Sequence, residues 1–149
     1  MTVIAKACPG WIRQTEGDSC WAAVLEAWGR ADPLAPRVQQ ANLITRWSDQ
    51  ANGGISGAQM ERLAGSLGLQ GIFLGRSGRM GRSPIPTIRT HLPTSYVACV
   101  YTVRRFSHTV LVYRLRDNDV SVMDPDGGRY LNLSHSWLGS HGPFGLLWR

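Results

Sequence analysis

Trp21, Val24, Leu25 and Trp28 recur at i, i+3, i+4 and i+7, one face of a helix that runs from Ser19 to Trp28. Asp18 or Ser19 can cap its start, and Gly29 suits its C-terminal cap. A second helical stretch, about Arg37 to Asp49, puts Leu43, Ile44 and Trp47 on one side. A third starts at Ser56, whose spacing to Gln59 makes a capping box, and continues through Met60, Leu63, Ala64 and Leu67 to Gly68.

Beyond the apolar run Gly71-Ile72-Phe73-Leu74 the pattern changes character. Pro84 to Leu92 reads as a short helix with proline in its first turn, and Ser95 to Val103 as a buried strand rich in β-branched and aromatic residues. His108 to Leu115 and Asp119 to Asp124 follow as strands joined by a polar turn. Pro125-Asp126-Gly127-Gly128 then breaks the chain before Arg129 to Asn132. Helices first and an antiparallel sheet second predict an α+β fold. The expected organisation is one domain over 1–149, with a helical subregion at about 11–68, an Arg/Gly-rich loop at about 75–83 and a β-rich subregion at about 84–149.

Composition narrows the class. The 149 residues, 43% hydrophobic and 17% charged with six tryptophans, suit a globular core and exclude disordered and fibrous classes. The apolar run at the N-terminus is too short for a signal peptide and no stretch reaches membrane-spanning length. The expectation is a protein made in the cytoplasm without membrane partners, secreted or injected into a target cell only by a specialised system. Cys8, Cys20 and Cys99 are odd in number and lack zinc-ligand spacing, so neither a disulfide framework nor a metal or cofactor is expected. The net charge of +6 rests on fifteen arginines and one lysine. Its densest cluster, Arg76, Arg79 and Arg82, lacks interleaved aromatics, which favours a solvated loop over a nucleic-acid surface.

Candidate chemistry centres on Cys20. A thiol at a helix N-terminus meets the positive end of the dipole, and a neighbouring histidinium lowers its pKa further. Of His91, His108, His135 and His141, His108 stands apart because it begins a strand and Asp124 ends the next. A loop centred on Arg116 would place the two directly across the ladder on one face, whereas a tight turn at Asp117-Asn118 would shift that register. In the first case Asp124 accepts the Nδ1 proton of His108 and leaves the other nitrogen for Cys20. His135 is the competitor for the third position. Cys99, between Ala98 and Val100, reads as a core residue, and Cys8 as a surface or packed thiol.

With Gln14 six residues before the Cys20-Trp21 pair, and His108 followed sixteen positions later by Asp124-Pro125, the chain resembles the papain-like cysteine peptidases. It is most similar to the compact bacteriocin-processing group that cuts after a double glycine, and to related bacterial effector proteases. Chain order and the helices-then-sheet layout match over nearly the whole sequence, and an aromatic near Trp137 recurs. The resemblance implies Cys20 as nucleophile, His108 as base and acid, and Asp124 as its orienting partner. It implies an oxyanion hole made by the Gln14 side chain and the Cys20 backbone N–H, with Trp21 packed beside the site. It also implies a protein or peptide substrate with small residues, such as Gly-Gly, before the cut. Without accompanying transporter segments, the expected setting is a bacterial effector or antibacterial toxin domain, with an inhibitory immunity partner drawn to the basic surface. The same thiol chemistry also serves glutamine deamidation, transglutamination or hydrolysis of cell-wall peptide amides. A binding module without activity, or nucleic-acid binding through the arginine loop, are the readings of other classes.

Overall fold

A computed structural model describes residues 2–74, 83–103, 106–127, 129–142 and 144–149. The arginine cluster at 76, 79 and 82 lies outside the described residues. In chain order the elements are β1 (Ile4–Ala5), α1 (Cys20–Ala31), α2 (Gln40–Trp47), α3 (Gly57–Ser66), β2 (Gln70–Leu74), α4 (Ile85–His91), β3 (Val97–Val103), β4 (Phe106–Leu115), β5 (Asp119–Asp124), β6 (Arg129–Ser134), α5 (His135–Gly139) and β7 (Phe144–Trp148). The strands form one antiparallel sheet in the order β2-β7-β3-β4-β5-β6, with β1 paired to the end of β4. The fold is α+β, as the pattern predicts.

Alternation along the strands sends side chains into two cores. Ala98, Leu111, Met123 and Leu147 pack under α1, α2 and α3, while Cys99, Val110, Val112, Val122 and Leu146 pack against Ile85, Ile88 and Leu92 of the α4 region and Leu138 of α5. A sheet covered on both faces explains what the sequence pattern misses. Phe144 to Leu147 are all buried, so β7 shows no alternation that would announce a strand, yet it lies between β2 and β3.

Two expectations about α1 change. The helix is buried on every side from Cys20 to Gly29, which makes it the central helix of the first core. Gly29 lies within it and caps nothing: the helix runs on to Ala31, and Asp32 is the C-cap. The glycine is needed because a Cβ there would collide with the carbonyl oxygen of Pro36 and come within 3.1 Å of the Arg37 Cα. Ser19 occupies the N-cap position without a side-chain cap, because its hydroxyl exchanges hydrogen bonds with the backbone of Glu16. Of the predicted Ser56–Gln59 capping box one half forms: the Ser56 hydroxyl accepts from the Gln59 N–H at 3.2 Å, while the Ser56 N–H donates to Asp49 Oδ1 at 2.7 Å.

Candidate active site

The packing of α1 on β4 brings the helix start to the strand that carries His108. Cys20 is 6% exposed, and its Sγ accepts the backbone N–H of Thr109 at 3.4 Å. Burial pushes the thiol up, but the hydrogen bond and charge of His108, helped by the Thr109 N–H, outweigh it and hold the thiol below its ordinary 9.0. For His108 burial disfavours the charged ring. Its hydrogen bonds and charge interactions with Asp124 and Cys20 prevail and raise its pKa to about 10. Asp124 is likewise pushed up by burial and then held below the ordinary carboxylate value by His108, by the Asp126 N–H and by Arg129. The three groups thus favour a thiolate, an imidazolium and a carboxylate in a row.

His108 meets Asp124 by a route the simple register count does not give. The turn is the tight one: Arg116 N–H donates to the Asp119 carbonyl at 2.9 Å, Leu115 faces Val120 and Arg114 faces Ser121. Continued unbroken, that pairing would set Asp124 opposite Leu111 and leave His108 on the other face of the sheet. A bulge between Val112 and Arg114 absorbs one residue, so that Val112 faces Val122 and Leu111 faces Met123. Asp124 then falls opposite Val110, on the face that His108 shares, and the pair meets diagonally with Nε2 2.7 Å from Asp124 Oδ1. The ring is also turned relative to expectation: Nε2, not Nδ1, addresses the carboxylate, and Nδ1 is left for the thiol.

Asp124 is seated by a second bond, from the Asp126 N–H to the same Oδ1 at 2.9 Å, and Arg129 lies 3.8 Å from its other oxygen. Tyr101, paired with His108 across β3 and β4, presents its ring edge-on to the imidazole at 5.6 Å and to Trp137 at 5.4 Å. His141 stacks on Trp137 at 3.8 Å and is thereby accounted for. His135 is at the wrong end of the ladder, with its N–H bonded to the Asn118 carbonyl in the β4–β5 turn. Cys99 is fully buried, and burial alone pushes its thiol up to about 12, while Cys8 is exposed.

Gln14 is more constrained than expected. Its side-chain nitrogen donates to the Glu16 and Gly17 carbonyls at 3.0 and 2.8 Å, within the loop leading to Cys20, and its buried Oε1 has no hydrogen-bond partner among the described residues. Sequence reasoning also missed Thr109, whose contribution is a backbone N–H and therefore invisible in a residue type. It missed Gln40 as well, whose amide reaches the backbone beside Gln14.

The architecture is that of the papain-like C39 peptidase domains. The peptidase domain of Streptococcus ComA, a bifunctional ABC transporter of a quorum-sensing pathway, superposes with a TM-score of 0.67 at 16% identity, covering 95% of this chain and 98% of that one. A double-glycine-motif protease from an AMS/PCAT transporter, solved with its leader peptide, gives 0.63 at 16% identity over 97% and 94%. A candidate C39-like peptidase from Bacillus anthracis gives 0.67 at 11% identity over 100% and 98%. At these identities the likeness is one of fold. No protein-family model matches the chain, and no curated protein matches it in sequence.

Proposed function

We propose that the protein is a cysteine peptidase in which Cys20, His108 and Asp124 act as the triad. The observation that carries this reading is His108 held with its Nε2 2.7 Å from Asp124 Oδ1 while the same ring is in hydrogen-bonding contact with a buried thiol at a helix start. Proton transfer from Cys20 to His108 leaves a thiolate that attacks the scissile carbonyl carbon. As the tetrahedral intermediate collapses, the C–N bond breaks and the imidazolium protonates the departing amine, leaving a thioester. His108, now neutral, takes a proton from water as its oxygen attacks the thioester, and the acid leaves with Cys20 restored.

For the developing oxyanion this reading takes two donors. The Cys20 backbone N–H opens α1 and has no intrahelical acceptor. The Gln14 amide lies on the approach to Cys20, and one of its N–H groups must turn from a loop carbonyl to the oxyanion. Replacing Gln14 with Ala is expected to lower kcat about 10²- to 10³-fold, the usual effect of losing one such donor.

The substrate class we propose is a polypeptide with small residues, Gly-Gly in particular, before the cut. Two observations support it: a thiol only 6% exposed is reached most easily by a backbone without bulky side chains, and a neighbour of the same fold is a double-glycine-motif protease bound to its leader peptide. Mass spectrometry of candidate polypeptides treated with the wild type and with Cys20→Ala tests the reading. Cleavage by the wild type alone is expected; cleavage surviving the substitution would overturn it, and a one-dalton gain without cleavage would redirect it to side-chain deamidation.

A further inference from the structure

We propose that Gln40 is a positioning residue that holds Gln14 in place for the oxyanion. The inference rests on the oxyanion role given to Gln14 above. Gln40 opens α2, is 7% exposed, and turns its side-chain amide to the chain segment that carries Gln14. Its Nε2 donates to the Arg13 carbonyl at 2.9 Å, and its Oε1 accepts from the Thr15 N–H at 3.2 Å and from the Thr15 hydroxyl at 3.5 Å. These are the residues on either side of Gln14. One primary amide thereby grips the segment by a carbonyl on one side of Gln14 and an N–H on the other. From the other side, the Gln14 N–H donates to the Pro125 carbonyl at 3.0 Å, in the turn that follows Asp124.

The clamp is anchored in the helix that presents the nucleophile. The Gln40 backbone N–H donates to Glu26 Oε1 at 2.9 Å, and Glu26 is a buried residue of α1 whose other oxygen meets Arg30 at 3.1 Å. A buried glutamine and a buried glutamate both carry a desolvation cost that only such bonds offset, and an apolar residue at either position would avoid it. Together they tie α1, the Gln14 segment and the turn after Asp124 into one body, so that nucleophile, oxyanion donor and histidine partner keep a common frame. A donor displaced by about 1 Å is enough to slow turnover on the order of 100-fold.

The chemistry supplies a clean separation. Alkylation of Cys20 by iodoacetamide forms a sulfur–carbon bond as iodide leaves and develops no oxyanion, so it needs the thiolate but not Gln14. Peptide hydrolysis needs both. The test compares the wild type with Gln40→Ala, Gln40→Glu, Gln14→Ala and the two double variants. The probes are a fluorogenic peptide with Gly-Gly before an aminocoumarin leaving group, and iodoacetamide. Gln40→Glu keeps the side-chain size and the acceptor for Thr15 but sets a carboxylate oxygen against the Arg13 carbonyl, so it serves where the alanine variant fails to fold. Either Gln40 substitution is expected to lower kcat roughly 10- to 100-fold while Cys20 alkylation stays within about twofold, and to add nothing once Gln14 is alanine. Hydrogen exchange should quicken at the Gln14 amide in both variants and at the Thr15 amide in Gln40→Ala, which alone removes its acceptor. Parallel loss of turnover and alkylation, effects that multiply in the double variants, or unchanged exchange would overturn the proposal. If the wild type is alkylated at Cys20 but leaves the peptide intact, the Gly-Gly reading fails, and exchange at the two amides decides the clamp.

Discussion

His108 and Asp124 form their 2.7 Å bond across a diagonal of the β4–β5 ladder, and they share a face only because a bulge between Val112 and Arg114 changes the register by one residue. The pair therefore depends on sheet geometry as much as on residue identity. Replacing Asp124 with Asn keeps the shape and removes the charge that helps to hold His108 at about 10. The alkaline limb of peptide hydrolysis is expected to move to lower pH, and the onset of Cys20 alkylation to higher pH. Unmoved limbs in the two profiles would show that the carboxylate does not act on the ring.

In the wild type the two reactions should part at high pH. Alkylation of Cys20 is expected to set in below the ordinary thiol value of 9.0 and to persist, because it needs only the thiolate. Hydrolysis should fall near pH 10, where His108 loses the proton it must give to the leaving amine. Peptide mapping after brief iodoacetamide treatment near neutrality should find Cys20 modified ahead of the exposed Cys8, with Cys99 untouched. Preferential labelling of Cys8 would contradict the activated thiol.

The same shifts give stability a pH dependence. His108 is raised in the fold, so its contribution is fully present below its ordinary 6.5 and is lost as the pH rises through about 10. Cys20 is lowered, so its contribution grows as the pH rises towards its ordinary 9.0 and offsets that loss, which leaves the net alkaline decline above 9.0. Asp124 is depressed, so its contribution is present above the ordinary 3.8 and is lost as the pH falls through its lowered value. Urea unfolding across this range should show stability declining on both sides, and Asp124→Asn should flatten both declines.

Gly29→Ala sets two effects against each other. Alanine favours a helix interior over glycine by about 1 kcal/mol, while overpacking a closed site typically costs about 1–3 kcal/mol. The Cβ meets backbone, the Pro36 carbonyl, which cannot swing aside as a side chain does. A net loss of stability is expected, read as a lower urea midpoint; a gain would mean that the loop after α1 yields freely.

Gly53→Ala should act on the Cys20 approach from the other side. Gly53 has φ +75°, a region that costs an L-residue about 1–2 kcal/mol, and its Cβ would come within 2.5 Å of Glu16 Oε2 and 3.1 Å of Ser19 Cβ. Its carbonyl also accepts the Trp21 indole N–H at 2.8 Å. Because Glu16 and Ser19 precede the nucleophile, turnover is expected to fall along with thermal stability. Unaltered kcat in a destabilised variant would separate this support from the site.

What the sequence determined by itself is local. Helical spacing around Trp21 and Trp28, the Ser56-to-Gln59 cap, and the β-branched runs of β3, β4 and β5 each follow from neighbours a few residues apart. The candidates Cys20 and Asp124 are legible for the same reason, as a thiol at a helix start and a carboxylate at a strand end, and His108 as a histidine near a strand start, although β4 begins two residues before it, at Phe106. Tertiary structure decided which groups meet. The β4 bulge set the face that Asp124 shares, the ring of His108 turned Nε2 to the carboxylate, and β7 entered the sheet as an unpatterned buried run. Gln14 and Gln40 stand 26 residues apart in sequence, and nothing local marks them as partners. Their relation arises because buried amides, carbonyls and carboxylates must find hydrogen-bond partners wherever the packed chain brings them.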